Sequence, residues 1–326
     1  MSKCNAVFQG GGVKGTGFAG AVIALEEAGY RFENIAGTSA GAIVAALIAA
    51  GFTGEEIRDE LMRVDYKIFM DASWLVHNSN IAKMINMAFK WGIYRADAFE
   101  NWLSGLLDKK GVRFFRDIQT GSKDERYRYK FQAIASNITT KKMLLLPNNL
   151  AEFGIEPDIF PIAKAVRMSM SIPFYFEPYK LTYNDTEHVI LDGGMLSNYP
   201  VWVLDDGSSN PRIPTFGLKF GGENISTRKK AHDNNIIGFT KSIISTLVNA
   251  WDNWHISESS GDLARTILIP TSIDINGKRK NIGTTDFEIS DNEKQQLLAN
   301  GLSAARKFLV NWDFDKWKRD YRKLTY

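Results

Sequence analysis

Between Glu33 and Gly51 the chain runs through a short apolar approach, Ile35-Ala36, into Gly37-Thr38-Ser39-Ala40-Gly41, and then into an unbroken apolar run from Ala42 to Ala50. Few folds accommodate that order. The approach suits a short strand, the run suits a buried helix, and the pentapeptide leaves room for only a sharp turn between them. A serine on such a turn has its hydroxyl forced out of the backbone path, and its small neighbours let the chain bend. The helix that follows directs its positive end at whatever negative charge develops beside that serine. Alone, the pentapeptide fits equally a glycine-rich strand–helix turn with an N-capping serine. Its surroundings have to decide.

Upstream, Asn5 to Gln9 reads as a strand, Gly10-Gly11-Gly12-Val13-Lys14-Gly15 as a loop, and the next stretch as a helix through Ala28 closed by Gly29. Strand, glycine loop, helix is a layout that aims free backbone N–H groups at an anion. A dinucleotide pyrophosphate site fits poorly, because no acid closes a second strand and Glu33 lies ahead of that strand. An oxyanion hole fits better, since a candidate nucleophile arrives one strand later. Both glycine-rich turns would lie at one edge of a parallel sheet, where open α/β folds place their sites.

The bulk properties narrow the function classes. A 326-residue chain can bury a substantial core, as one large α/β domain or two smaller ones, and its net charge of +3 is too small to argue for nucleic acid. The pI near 8.7 is compatible with an anionic membrane surface. Cys4 is the only cysteine, so no intrachain disulfide or zinc-finger spacing exists, and a buried inert thiol is expected. Met1 to Gly10 lacks the apolar segment of a Sec signal peptide. The longest apolar run, Gly41 to Gly51, is far short of the roughly 18–20 residues that span a bilayer. The expectation is a soluble, cytoplasmic protein with peripheral membrane association, with export by a non-Sec route left open.

Downstream, Thr53-Gly-Glu-Glu56 is a capping-box pattern for a helix to about Val64. From Ile68 to Leu107 the sequence is rich in Trp, Met and Phe. It reads either as ordinary core helices or as a cover over the site that touches lipid. Strands are expected at Tyr129–Ile138, Met143–Pro147, Glu187–Leu191, Thr215–Phe220 and Thr266–Ile269. Helices are expected at Ile162–Met170, stopped ahead of Pro173, and at Ile236–Trp254. Ser290-Asp-Asn-Glu293 opens another capped helix. Beyond Asp313, Phe314, Trp317, Tyr321 and Leu324 share one face, with basic residues elsewhere. That segment either lies in a membrane interface or docks on the domain.

A serine needs a base. None of His77, His188, His232 and His255 sits in a catalytic motif. Ser39 also comes too early in the chain for the usual α/β-hydrolase order, in which several strands precede the nucleophile and histidine comes last. The best base is Asp192, at the end of a strand, with Gly193 and Gly194 leaving room for close approach.

Gly10-Gly-Gly-Val-Lys-Gly15, Gly37-Thr-Ser-Ala-Gly41, Ser169-Met-Ser-Ile-Pro173, Asp192-Gly-Gly194 and Asn198-Tyr-Pro200, in that order, resemble the signature blocks of the patatin-like phospholipase family. The resemblance covers about residues 5 to 205. It implies a three-layer α/β fold, a mostly parallel central sheet with helices on both faces. Residues 206–326 would then be a C-terminal extension completing the domain. It further implies a Ser39–Asp192 dyad, an oxyanion hole from Gly10, Gly11 and Gly12, and support from Lys14, Gly15, Gly37, Gly41, Gly193 and Gly194. The implied chemistry is calcium-independent hydrolysis of phospholipid acyl esters through an acyl-enzyme, without metal or cofactor. The implied partner is a phospholipid membrane surface or lipid aggregate, with no nucleic acid; an activating protein partner or an oligomer is left open. The alternatives are acyl transfer to an alcohol, a neutral-lipid or lysophospholipid esterase, and a phosphate- or nucleotide-binding module. Two positions depart from the pattern. Lys14 stands where arginine is frequent, keeping the charge without the fork, and Met168 stands where alanine is usual.

Overall fold

The computed structural model describes residues 1–221, 261–275 and 277–322. The expected helix at Ile236–Trp254, together with His232 and His255, lies outside the described residues. Strand β1 (Ser2–Phe8) is central in an eight-stranded sheet. It pairs in parallel with β2 (Tyr30–Thr38) on one side and β9 (Thr215–Gly221) on the other. The parallel part continues to β10 (Thr266–Pro270) beyond β9 and to β4 (Phe131–Asn137) beyond β2. Past β4 the direction reverses, because β5 (Lys142–Leu146), β8 (Thr186–Asp192) and β7 (Tyr179–Tyr183) run antiparallel to their partners. This is the expected α/β architecture, a mostly parallel sheet flanked by helices.

The period of two along β1 assigns its faces. Cys4, Ala6 and Phe8 join the main core, whereas Val7 meets Ala36, Val203 and Leu204 on the opposite face. Over the main face lie α1 (Gly15–Glu27) and α2 (Ala40–Ala49). A helix apolar on all sides is stable only when covered on all sides, and α2 is buried at every position but Ile43. The expected capping box at Thr53 is formed, with its side chain accepting from the Glu56 amide, and opens α3 (Gly54–Arg63).

The aromatic stretch divides. A short β3 (Gly92–Tyr94) and α6 (Asp97–Asp108) follow two helices, α4 (Trp74–Asn78) and α5 (Asn80–Lys90). Phe69, Phe99 and Trp102 pack ring against ring in the core, while Trp74, Met84, Phe89 and Trp91 are exposed. Strand β3 pairs with β6 (Phe174–Phe176), which follows α7 (Ile162–Ser169).

The C-terminal part returns to the core. A hairpin, β11 (Ser272–Ile275) with β12 (Lys278–Asn281), precedes α8 (Asp291–Val310), whose Ser290 forms the second expected capping box. The backbones of α1 and α8 pack directly together. A Cβ on Gly20 would lie 2.1 Å from the Leu298 carbonyl oxygen, and one on Gly301 would lie 1.8 Å from that of Gly17. The last helix, α9 (Phe314–Tyr321), docks on the domain. Its Trp317 is buried, donates from Nε1 to the Gly261 carbonyl at 3.0 Å, and lies over the Arg265 guanidinium. Arg265 is itself sealed between Asp205 and Asp262, each at 2.6 Å.

The α1–α8 contact leaves no volume for a side chain. Gly301→Val is therefore expected to cost about 2 kcal/mol or more by overpacking. The urea midpoint should fall with the slope of the transition unchanged.

Candidate active site

Ser39 sits between the end of β2 and the start of α2 with φ 53° and ψ −124°, a conformation that a non-glycine residue adopts only under constraint. The constraint comes from close packing on both sides. A Cβ on Gly37 would lie 2.5 Å from the Gly41 carbonyl, and one on Gly41 would lie 2.4 Å from the Phe8 carbonyl oxygen. The helix therefore abuts β1 with backbone against backbone. Hydrogen bonds complete the hold. The Ser39 amide donates to Ser169 Oγ at 2.9 Å, and that hydroxyl donates to the Ile134 carbonyl at 2.5 Å. Thr38 Oγ1 donates to the Ser197 carbonyl at 3.0 Å.

Asp192 ends β8, paired with Ala135 of β4, and its amide donates to the Ser171 carbonyl at 2.9 Å. Its Oδ1 accepts from the Gly194 amide at 2.7 Å. Its Oδ2 is buried and has no hydrogen-bond partner among the described residues. Burial pushes the carboxyl up to about 6, against the pull of the nearby Ser39 hydroxyl and the Gly194 amide. Asn198 ties the parts together. Its Oδ1 would lie 2.2 Å from a Cβ on Gly10 and 3.0 Å from one on Gly194. The same added atoms would lie 3.4 Å from Ser39 Cβ and 3.0 Å from Asp192 Oδ1 respectively. Glycine loop, serine and carboxylate thus meet around one asparagine. Gly193 is held as closely from the other side, since its Cβ would lie 2.2 Å from the Ile134 carbonyl oxygen.

The expected set of oxyanion donors needs one correction. The Gly10 amide donates to the Asn198 carbonyl at 2.9 Å and is not free for a ligand. The chain after Asp192-Gly-Gly folds back over the glycine loop and takes that donor. Val13 and Lys14 are also committed, to Thr284 and Gly11. The amides of Gly11 and Gly12 have no acceptor among the described residues, so the free donor pair is Gly11 and Gly12. Gly12 has φ +58°, and its Cβ would lie 1.8 Å from the Thr284 carbonyl oxygen, so only glycine fits there. Lys14 lies with Nζ 4.9 Å over the Phe220 ring, and Gly15 starts α1.

Three contributors carried little or no sequence signal. Ser169 and Asn198 stand in recognisable blocks, yet nothing in those blocks says that one bonds the Ser39 amide and the other takes the Gly10 amide. Thr284 is far along the chain in a segment without any motif. His188 is bonded to Asn137 at 3.2 Å and stacked edge-on against Phe153. Among the described residues no group of His, Cys, Asp or Glu is arranged to hold a metal ion.

A serine on a strained strand–helix elbow, a desolvated carboxyl beside it and unpaired loop amides form an arrangement suited to acyl transfer. The family model for patatin-like phospholipases matches residues 6–205. The chain belongs to the patatin-like phospholipase family. It is 35% identical to the uncharacterized protein YqhO of Bacillus subtilis, over 94% of this chain and 98% of that one. It is 25% identical to the uncharacterized protein R571 of Acanthamoeba polyphaga mimivirus, over 94% and 93%. Among solved structures, VipD from Legionella pneumophila aligns with TM-score 0.54 and 17% identity, over 95% of this chain and 67% of VipD. Full-length ExoU from Pseudomonas aeruginosa, in complex with SpcU, aligns with TM-score 0.51 and 17% identity, over 95% of this chain and about half of ExoU, 52%. At those identities the likeness is one of fold. Membership of the patatin-like family supports a lipid hydrolase.

A carboxyl that binds its proton more tightly in the folded chain than in the unfolded one stabilises the fold below about pH 4. That contribution is lost as pH rises through about 6, a span worth about 3 kcal/mol. Asp192→Asn removes the cost of burying the charge. The variant should therefore be more stable than the parent at pH 8, with the difference closing below pH 4, as read from urea midpoints across pH. Equal midpoints at pH 8 would show that the carboxyl is not held near 6.

Proposed function

We propose that the chain is a calcium-independent lipid acyl hydrolase of the phospholipase A type, with Ser39 as nucleophile and Asp192 as proton acceptor. The observation that carries this reading is the bare Oδ2 of Asp192. A buried carboxylate oxygen without a donor is costly, and a proton from the neighbouring Ser39 hydroxyl would relieve that cost.

In the first half of the cycle the Ser39 hydroxyl loses its proton to Asp192 as Oγ bonds to the ester carbonyl carbon. The carbonyl oxygen gains the negative charge, which the Gly11 and Gly12 amides and the N-terminus of α2 are suited to hold. Collapse of that intermediate breaks the bond to the glycerol oxygen, and the proton on Asp192 passes to this leaving alcohol. In the second half Asp192 takes a proton from water, whose oxygen attacks the acyl-enzyme carbonyl. Collapse then returns the proton to Ser39 Oγ and releases the fatty acid. A base held near pH 6 is ionised at neutral pH and still binds a proton readily enough to pass it on.

Ser39→Ala and Asp192→Asn should each reduce fatty-acid release from phospholipid vesicles by at least about a thousandfold, and EDTA should leave the parent rate intact. For the parent, kcat/KM should rise with pH through about 6 as Asp192 ionises. Mass spectrometry of lipid extracts treated with parent and Ser39→Ala chains would name the products. Retained release in either variant would refute the dyad.

A further inference from the structure

Helix α5 presents its apolar side to solvent. Ile81, Met84, Ile85, Ala88 and Phe89 recur at the spacing of one helical face, and all five are exposed, Ile81 at 72% and Phe89 at 82%. The opposite side holds the helix to the domain. Ala82 packs against the core, Asn86 Nδ2 donates to the Ile93 carbonyl at 3.4 Å, and the Ser79 hydroxyl caps the first turn. An amphipathic helix in a folded domain ordinarily turns its apolar stripe inward. Here it is reversed, and a contiguous exposed apolar patch marks a surface that meets something.

The patch is connected to the catalytic centre through a short stretch of backbone. Trp91, exposed at the end of α5, leads into β3, whose Gly92 pairs with Phe174, also exposed. Phe174 lies five residues beyond Ser169, the side chain that holds the Ser39 amide, and three beyond Ser171, which accepts from the Asp192 amide. The charge carried by the stretch itself is one-sided. From Ala72 to Ala96 there is no Asp or Glu, while Lys83, Lys90 and Arg95 fall within that stretch. Lys180 lies 4.9 Å over the Trp91 ring and 2.9 Å from Glu187, Lys90 is 3.3 Å from Glu177 and Arg95 is 3.6 Å from Asp97, which leaves Lys83 as the cation of this stretch without an ion pair among the described residues.

We propose that the outward face of α5, with Trp91 and Phe174, is the surface by which this protein docks on an anionic phospholipid bilayer. The inference rests on the acyl-hydrolase reading for its substrate and on the helix itself for its geometry. A helix with apolar residues on one side and lysines around them lies in the plane of the interface, its apolar side below the headgroups. Basic residues at that level are drawn to anionic lipid and lose the attraction in salt. Docking there brings the segment from Ser169 to Phe174, which holds the Ser39 amide, to the bilayer surface. A second copy of the chain is the competing occupant, but a copy would set its own Lys83, which has no ion pair among the described residues, against the Lys83 of this one.

The test separates docking from turnover. Full-length Ser39→Ala chain is sedimented with phosphatidylcholine vesicles and with vesicles that also contain phosphatidylglycerol. Binding should be stronger to the anionic vesicles and should weaken with salt. Adding Ile85→Ser and Phe89→Ser should lower vesicle partitioning by at least about tenfold. In the chain with Ser39 intact, the same pair should leave hydrolysis of a dissolved short-chain ester within about twofold. Both side chains are exposed, so the fold should persist, which the urea midpoint checks. Partitioning unchanged by the pair, or indifferent to lipid charge, would overturn the proposal. So would a dimer in sedimentation velocity that the pair converts to monomer. A parent chain that binds vesicles through this face and cleaves no ester would instead refute the acyl-hydrolase reading and leave the docking surface standing.

Discussion

The Asp192 carboxylate is the group around which the molecule is most tightly built. One of its oxygens is satisfied by the Gly194 amide, while the other is buried without a well-formed hydrogen bond, with the Ser39 hydroxyl nearby. A buried polar atom left in that state costs about 1–3 kcal/mol, and the backbone of Ser39 adds strain of about the same order. Neither would persist in a yielding scaffold. The strained turn is clamped through the Ser169 hydroxyl, the Ser197 carbonyl and the glycine contacts to β1, and these reach β4 at Ile134, the loop after β8, and β1 itself. Rigid packing around β1 and α2 thereby holds the arrangement together. It keeps a hydroxyl and an underbonded carboxylate as neighbours when each alone would relax.

The reversal of strand direction at β8 contributes to the same end. A parallel strand beside β4 would finish at the edge where β2 and β4 finish. Because β8 runs the other way, it ends with Asp192 opposite Ala135, and the chain turns at Gly193 and Gly194 directly against β4. It then returns over the glycine loop, where the Asn198 carbonyl takes the Gly10 amide. Five parallel strands supply the serine and the loop, and the antiparallel addition supplies the carboxylate.

Helices α2 and α5 show how little composition says about exposure. Both are short and apolar. The first, with small side chains on every side, is enclosed between β1, β2 and α1; the second keeps polar anchors on one side and shows Ile, Met and Phe to solvent. The final helix goes the other way. Its ring of aromatics had the pattern of an interfacial helix, yet Trp317 is spent on Arg265 and Gly261. Sequence periodicity says that a face exists, whereas its partner is set by what the rest of the fold leaves uncovered.

Much of this was legible along the chain, because the decisive requirements are local. The elbow at Gly37–Gly41, the capping boxes at Thr53 and Ser290, and the glycine loop after β1 are each written within a few consecutive residues, where backbone sterics and capping act. The blocks around Ser39 and Asp192 also stand out for that reason. What the sequence left open depends on contacts between distant segments. Which loop amides stay free was decided by Asn198 and Thr284 folding over the glycines, 188 and 272 residues after Gly10 and Gly12. Which apolar face meets solvent was decided by the competition of several helices for one sheet. By itself the sequence determined the turns and the order of the chemical groups, since those follow from neighbouring residues. The tertiary structure alone decided the burial of Asp192, the loss of Gly10 as a donor and the outward face of α5, since desolvation and hydrogen-bond pairing exist only once the chain has closed on itself.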